Sequence, residues 1–478
     1  ATVTGNLMWA MQQWHNVYRY NGFDDVELAA LFPLLARAVT YYSHITHTNS
    51  SAGMNATILH LNATVSPEYG AAPDVNYDIA LLKWGLAAVL DAAAKGLPAA
   101  VSDKRLPMWR DMNARLTAYT TDAATGFLIG AGMPLAHGHR HFSHLMMIFP
   151  LKQLDLDGNA ADRAIAARSL DHWMDMGMLH GFSFTAASPM NVMLGRKEMA
   201  FANITYLMSE YIESNTMYFE GKGYPCGETP PAAASALMDW MLMEWQGIVR
   251  IFAGIDDAEI DDVAFDRLLA PGGFEISAAR AAGKTKFVTI TNAHGVAAKD
   301  MSSLAILVDG MALPWGSEAA ATKTRWTARA DGSGVVDIDL ATLPKGASVT
   351  LFSLASAPKS YTIEPSKGGN HSMYNYWGLP RGGVPPPAPG PAPVKQVCVT
   401  GTVCGAKFSM NLLGCCPYEN AVCCNNNMTC CPAGSTCEVH RWQSTCIGAP
   451  TKPVDLTVGQ PVCKSGAPLP FSKSLPNV

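Results

Sequence analysis

The stretch HGHRHFSHL, residues 137–145, carries His137, His139, His141 and His144, out of 13 histidines in a chain of 478 residues. Three chemistries use such a set. Imidazoles converging on one point ligate zinc, provided neighbouring groups orient each ring. Imidazoles and the Arg140 guanidinium lining a cleft donate hydrogen bonds to ligand hydroxyls. Buried rings satisfied by backbone groups are the plain structural alternative. His137, His139 and His141 alternate, so an extended backbone places them on one face, whereas His144 needs a turn.

The cysteines form the second chemical set. Of 12, only Cys226 precedes residue 398, and ten fall between 398 and 446: Cys398, Cys404, Cys415, Cys416, Cys423, Cys424, Cys430, Cys431, Cys437 and Cys446. Adjacent cysteines rarely bond to each other because the geometry is strained. Each pair at 415/416, 423/424 and 430/431 is expected to send bridges in opposite directions along stacked short hairpins. That density fits a disulfide staple in an oxidising compartment, with zinc as the alternative reading. Cys226 and Cys463 are left over and are available to pair with each other. Asn49, Asn55, Asn62, Asn203, Asn370 and Asn427 each open an N-x-S/T sequon, three of them within residues 49–64. Such a polar, sequon-rich segment reads as a glycosylated surface loop of a secreted, extracellular chain.

Composition narrows the partners. The net charge is -5 with no basic cluster, which argues against nucleic acid. No apolar run reaches the ~18 residues of a membrane span. The opening ATVTGNLMWAMQQWHN lacks a positive n-region and is not read as a signal peptide; a mature or truncated chain can begin this way. The 24 methionines fall at helical spacing and read as core filler. No cofactor and no metal are expected.

Elements must hold these groups in place. Residues 1–255 read as helical. DDVELAALFPLLARAVTYY repeats apolar positions at helical spacing, with Pro33 expected either near the first turn or at a kink in the helix. DVNYDIALLKWGLAAVLDAAAKGLP has Asp74 as candidate N-cap, an apolar face through Ile79, Leu82, Leu86, Val89 and Leu90, and Gly96 with Pro98 as the stop. ADRAIAARSLDHWMDMG, NVMLGRKEMAFANITYLMSEYI and AAASALMDWMLMEWQGIVRIFAG read as further helices, giving an all-α array or toroid. Residues 256–357 change to short β-type runs such as GGFEISAARAAGKTKFVTITNA and GASVTLFSL, expected as a β-sandwich-like domain. A Pro/Gly-rich linker over 358–397 contains VPPPAPGPAPV, the cysteine module covers 398–446, and 447–478 is expected to be a poorly packed tail.

Four pieces in order resemble the catalytic domain of glycoside hydrolase family 95, the α-L-fucosidases and related α-L-galactosidases. They are NLMWAMQQWHNVYRYNGFDDVELAALFPLLARAVTYY, ATVSPEYG, GHRHFSHLMMIFP, and SALMDWMLMEWQGIVRIFAGI followed by APGGFEIS. The resemblance covers about residues 5–355. GCCPYENAVCC and TCCPAGSTC resemble the granulin module, here with ten cysteines where twelve are usual. The family resemblance implies an (α/α)6 toroid with β domains and inverting hydrolysis. A glutamic acid protonates the leaving oxygen while an aspartate, helped by asparagines, activates water. Two carboxyls ~6.5–9.5 Å apart leave room for that water. Carried onto this chain, Glu68 takes the acid position and is expected to be partly buried, which would keep it protonated. His139, Arg140, His141, His144 and Tyr69 are expected to line or buttress the sugar pocket. Trp14, Tyr18 and Trp84 are weaker stacking candidates, expected mostly in the core.

The resemblance also exposes gaps. In YPCGETPPAAAS, Gly227 falls where the aspartate belongs, and Glu228, one step on, substitutes as base only if the loop shifts by one residue; otherwise it is a loop residue near a helix N-terminus. The helper asparagines belong to a segment upstream of residue 1. The expected fold is therefore multidomain: a partial (α/α)6 toroid, a β-sandwich-like domain and a small disulfide-rich granulin-like module. The expected function is a secreted glycoside hydrolase-like protein with degraded catalytic machinery, its enzymatic status open. A non-catalytic structural or carbohydrate-binding glycoprotein within an oligomer or filament is the alternative. Expected partners are carbohydrate or glycoprotein glycans, together with an N-terminal fragment of the same precursor or other extracellular subunits.

Overall fold

A computed structural model describes residues 3–48, 57–212, 217–220, 224–311, 315–318, 321–329 and 334–363, with short backbone segments between 396 and 461. The first half is helical. α1 (Asn6–Tyr20) packs on α2 (Asp25–Tyr42), which Asp24 caps by accepting from the Val26 amide at 2.8 Å. Pro33 lies inside α2, not at its first turn. The proline removes a backbone donor, but Leu31, Phe32, Leu35 and Ala36 around it are fully buried, and their packing offsets the lost bond.

α3 (Asn76–Ala94) is buried without a break from Asn76 to Leu82, so it runs through the middle of the helical part. Its N-cap is Val75. Asp74, expected there, has φ 47° and turns back instead to His60 Nδ1 and the Leu61 amide, each at 2.7 Å. Gly96, at φ +83°, ends the helix as its position suggested. α4 (Pro98–Val101) and α5 (Leu106–Arg115) pack on α3. α6 (Ala160–Met176) is capped by Asn159 and followed by α7 (Gly181–Met193) and α8 (Lys197–Glu210).

Two helical expectations need correction. NVMLGRKEMAFANITYLMSEYI is not one helix; it joins the end of α7 to α8 through Gly195 at φ +69°. α9 (Thr229–Met241) stops before the apolar run does. Leu242–Trp245 and Ile248–Ile251 form a hairpin closed by Gln246 and Gly247, both at positive φ. Strand structure thus begins at Leu242, and the boundary drawn at 256 falls after two strands of one sheet.

That sheet orders Thr324–Ala328, Gly334–Asp339, Ser303–Val308, Ile248–Ile251 and Leu242–Trp245. The pair 248–251 with 303–308 is parallel; the other pairs are antiparallel. A second five-stranded antiparallel sheet orders Val263–Ala270, Phe274–Ala281, Lys284–Asn292, Ser348–Ser353 and Trp315–Glu318. Strict alternation of burial along Phe274–Ala281 marks one core-facing side. A single apolar cluster runs from Met8 in α1 to Leu351 in this sheet.

In the cysteine region, Cys437 lies opposite Cys446 and Cys423 opposite Cys430 in short antiparallel pairs. Cys431 is buried and disulfide-bonded. Cys398, Cys424, Cys463 and most of the linker lie outside the described residues. The tail beyond 447 does contribute strands: Cys415 pairs with Thr457, Cys430 with Val454 and Val397 with Gln460. Among the described residues no helix is long and apolar enough to cross a membrane.

Candidate functional site

Glu68 stands at the tip of a hairpin. Thr64–Ser66 pairs with Gly70–Ala72, and the Tyr69 amide donates to the Ser66 carbonyl at 3.1 Å. The three-residue loop forces Glu68 to φ 54°, a conformation uncommon for a side chain of this size. Two contacts hold the hairpin still, the first of them backed by a further hydrogen bond. Thr64 Oγ1 donates to Asp78 Oδ2 at 2.6 Å, and Asp78 Oδ1 accepts from the Tyr42 hydroxyl at 2.7 Å, which ties the hairpin to α3 and α2. Burial pushes Asp78 up to about 6, against these two hydrogen bonds. Ser66 Oγ and Ser143 Oγ meet at 2.7 Å, so the hairpin is also pinned to the histidine segment.

The histidine segment is an extended loop ending in a 3-10 turn, Ser143–Leu145, that touches both α3 and α6. Its backbone is clamped from two helices: Trp173 Nε1 of α6 donates to the His139 carbonyl at 2.8 Å, and Ser183 Oγ of α7 donates to the Arg140 carbonyl at 2.6 Å. Arg140 Nη2 and His141 Nε2 both reach Glu68 Oε2, at 2.6 and 3.0 Å. His139 Nε2 lies 3.3 Å from the Pro67 carbonyl. Tyr69 stacks on His137 at 4.5 Å and meets His139 edge-on at 5.4 Å, while its hydroxyl accepts from the Ala136 amide at 2.7 Å.

The four histidines do not share one role. His141 and His137 reach the surface cluster, His139 is largely buried beneath it, and His144 is 1% exposed. Burial drives His144 down to about 3, so it stays neutral, and its Nδ1 has no hydrogen-bond partner among the described residues. Burial also lowers His139. With Nε2 of His139 and His141 engaged by Pro67 and Glu68, the segment does not present converging metal ligands.

Expectation and structure differ at the acid. The Glu68 side chain is 53% exposed and held in an ion pair, where the resemblance implies a carboxyl shielded from solvent. Glu228 takes the N-cap position of α9 without making a side-chain cap bond, and Gly227 beside it is exposed with open space around it. Glu228 is not among the partners of Glu68. It groups with Glu220 and Cys226, the ligand atoms of the three lying within 4.8 Å of one another. Cys226 is a free thiol among the described residues, and Cys463, the partner suggested for it, lies outside them. Hydrogen bonding to Glu228, then burial and Glu220, pushes that thiol up to about 11.

Two residues not anticipated connect these groups. His180 Nδ1 lies 3.7 Å from Glu220 Oε1. Burial lowers His180, Glu220 opposes that, and the charges of Arg140 and His141 add to it, so His180 sits between the two clusters. No motif flagged His180 or Glu220, because they become neighbours only through the α7 start and the pairing of Phe219–Glu220 with Tyr224–Pro225. Of the aromatic candidates, Tyr18 is fully buried, Trp14 donates to Glu27 at 2.9 Å, and Trp84 lines a different cavity. Asn203 is 0% exposed within α8, so a glycan has no room there; Asn62 is exposed. Asn49, Asn55, Asn370 and Asn427 lie outside the described residues.

Comparison with known proteins adds to this geometry. Human (Homo sapiens) progranulin is 40% identical over 53 residues, which is 11% of this chain and 8% of that protein. A solved structure described as a kojibiose phosphorylase from the human microbiome superposes with a TM-score of 0.40 at 12% identity, covering 58% of this chain and 43% of that one. The chain therefore spans less than half the length of either. Residues 402–447 match granulin. Residues 1–225, which hold Glu68 and the histidine segment but end before Glu228, match the glycosyl hydrolase family 95 catalytic domain.

Proposed function

We propose that this chain is a secreted glycoside hydrolase-like protein of the inverting α-L-fucosidase type, its helical part a partial (α/α)6 toroid and its two sheets a β-sandwich. One observation carries the reading: Glu68 is presented at a strained, doubly anchored hairpin tip to Arg140 and His141. A glycosidic oxygen leaves poorly without a proton, and a fixed carboxyl at a cleft mouth supplies one. Arg140, His141 and Tyr69 offer hydrogen bonds and a stacking face to sugar hydroxyls and ring carbons, and His139 and His144 buttress them. Glu228 is the base of last resort, on a longer arm than aspartate. Glycans of carbohydrates or glycoproteins are the partners, and an N-terminal fragment of the same precursor or another extracellular subunit completes the helical ring.

A second reading has its own support. Glu68 is ion-paired with Arg140, and Glu228 is hydrogen-bonded by the Cys226 thiol, so acid and base are both occupied. On that reading the scaffold is a carbohydrate-binding or structural glycoprotein, stapled by its granulin-like module and assembled into an oligomer or filament. Aryl α-L-fucosides and fucosylated oligosaccharides, given to the purified chain beside Glu68→Gln, separate the two. Turnover abolished by the substitution supports the hydrolase. Sugar binding without turnover in either protein supports the second reading.

A further inference from the structure

A cavity of about 310 Å³ opens between α1, α3, the residues just after the histidine segment and the 242–251 hairpin. It is not the Glu68 mouth. α3 begins beside the Glu68 hairpin, whereas Trp84 and Asp91 of the cavity wall lie roughly 12 and 22 Å further along that helix. The volume is at the small end of ligand pockets, which run ~300–1,000 Å³.

The lining charges cancel. Arg19 and Lys152 oppose Asp91 and Glu244. Arg19 Nη2 meets Glu244 Oε2 at 2.8 Å, and Lys152 Nζ donates to the Glu244 carbonyl at 2.7 Å. With its cations engaged, the cavity selects neither an anion nor a cation. What it offers is neutral: the Asn16 amide, the Gln12 amide nitrogen and the Gln246 amide oxygen, whose other ends are engaged by Gln13 and the Leu154 carbonyl, and the His15 imidazole. Burial, with Arg19 and Lys95, drives His15 down to about 3, so it presents one donor and one acceptor. The aromatic wall is Tyr20, Trp84 and Trp245. Trp84 stands perpendicular to His15 at 5.5 Å. Trp245 is 4% exposed, and its indole N–H has no hydrogen-bond partner among the described residues.

A ligand that answers all of this carries hydroxyls able both to donate and to accept, an apolar C–H face and no net charge. We propose that the cavity is a second carbohydrate site, taking one neutral pyranose ring and independent of any chemistry at Glu68. Calorimetric titration of the full chain with methyl α-L-fucopyranoside, methyl β-D-galactopyranoside and methyl α-D-glucopyranoside tests it, with inorganic phosphate as the anionic control. One pyranoside is expected to saturate. Ala87→Trp, which fills the cavity from an exposed position, should weaken it at least about tenfold, as should Gln12→Ala, while Glu68→Gln leaves it unchanged. Two variants guard against one misfolding, and melting curves check both. Binding that Glu68→Gln abolishes and Ala87→Trp spares overturns the proposal, as does phosphate saturating in preference or no pyranoside binding at millimolar concentration.

Discussion

The Glu68 mouth and the Glu244 cavity each hold a carboxylate against basic side chains, yet in opposite settings. Glu68 is 53% exposed beside Arg140 and His141, whereas Glu244 is 12% exposed between Arg19 and Lys152. Burial works against the Glu244 charge, but Arg19 and Lys152 hold its carboxyl below the usual range. The same pairing chemistry therefore has different consequences. Solvent screens the Glu68 pair, so it adds little to stability. The cavity pair sits in a lower dielectric, where removing one partner strands the other.

The largest expected effect breaks the comparison on function. Glu68→Gln should reduce turnover of an aryl α-L-fucoside by on the order of 10²–10⁴, while shifting unfolding free energy by only ~0–1 kcal/mol in denaturant titration. A comparable loss of stability would show that Glu68 holds the hairpin and is not merely presented by it.

Glu244→Gln is the counterpart on stability. It should cost about 2–3 kcal/mol in the same titration, below the ~3–5 of a fully buried pair because Arg19 remains 30% exposed. An effect no greater than that of Glu68→Gln would erase the contrast.

A smaller, pH-dependent difference sharpens the picture. Burial pushes Asp239, beside Lys152, up to about 6, with Lys152 opposing. Its folded pKa exceeds the unfolded value of 3.8, so the native state binds more protons between them. Asp239 therefore adds stability as pH falls from about 6 towards 3.8, and Asp239→Asn should remove that gain. The difference in melting temperature between wild type and variant, followed across this window, reads it directly. His15 and His144 act with the opposite sign: lowered to about 3, they cost stability as pH falls below 6.5 in both proteins and cancel in the difference.

The smallest effect concerns the surface. Glycopeptide mass spectrometry of chain secreted from eukaryotic cells should find a glycan on Asn62 and none on Asn203. Occupancy at Asn203 would mean that α8 is not packed as described.

Much of the site was legible because its residues are contiguous. SPEYG and HGHRHFSHL each fall within one loop, and the cysteine pairs announce a stapled module wherever they fold. The helices with clean caps and a one-sided apolar face, α2 and α6, were equally readable. α7 was not, since Gly, Ser, Thr and Pro argue locally against a helix, and only burial on nearly every side explains it. Nor was the turn from α9 into a strand visible. MDWMLMEWQGIVRIF is mostly apolar, and periodicity cannot tell a buried helix from a buried strand.

The sequence by itself determined which chemical groups this protein owns and roughly which loops carry them: an acid, a basic histidine-rich segment and a disulfide module. Tertiary structure decided their environments. It made Glu68 an exposed ion-pair partner, sank His144, brought His180 and Glu220 between the two loops, buried Asn203 and hollowed a cavity between α1 and α3. The physical reason is that identity is local, whereas exposure, charge pairing and empty space depend on which distant segments pack together.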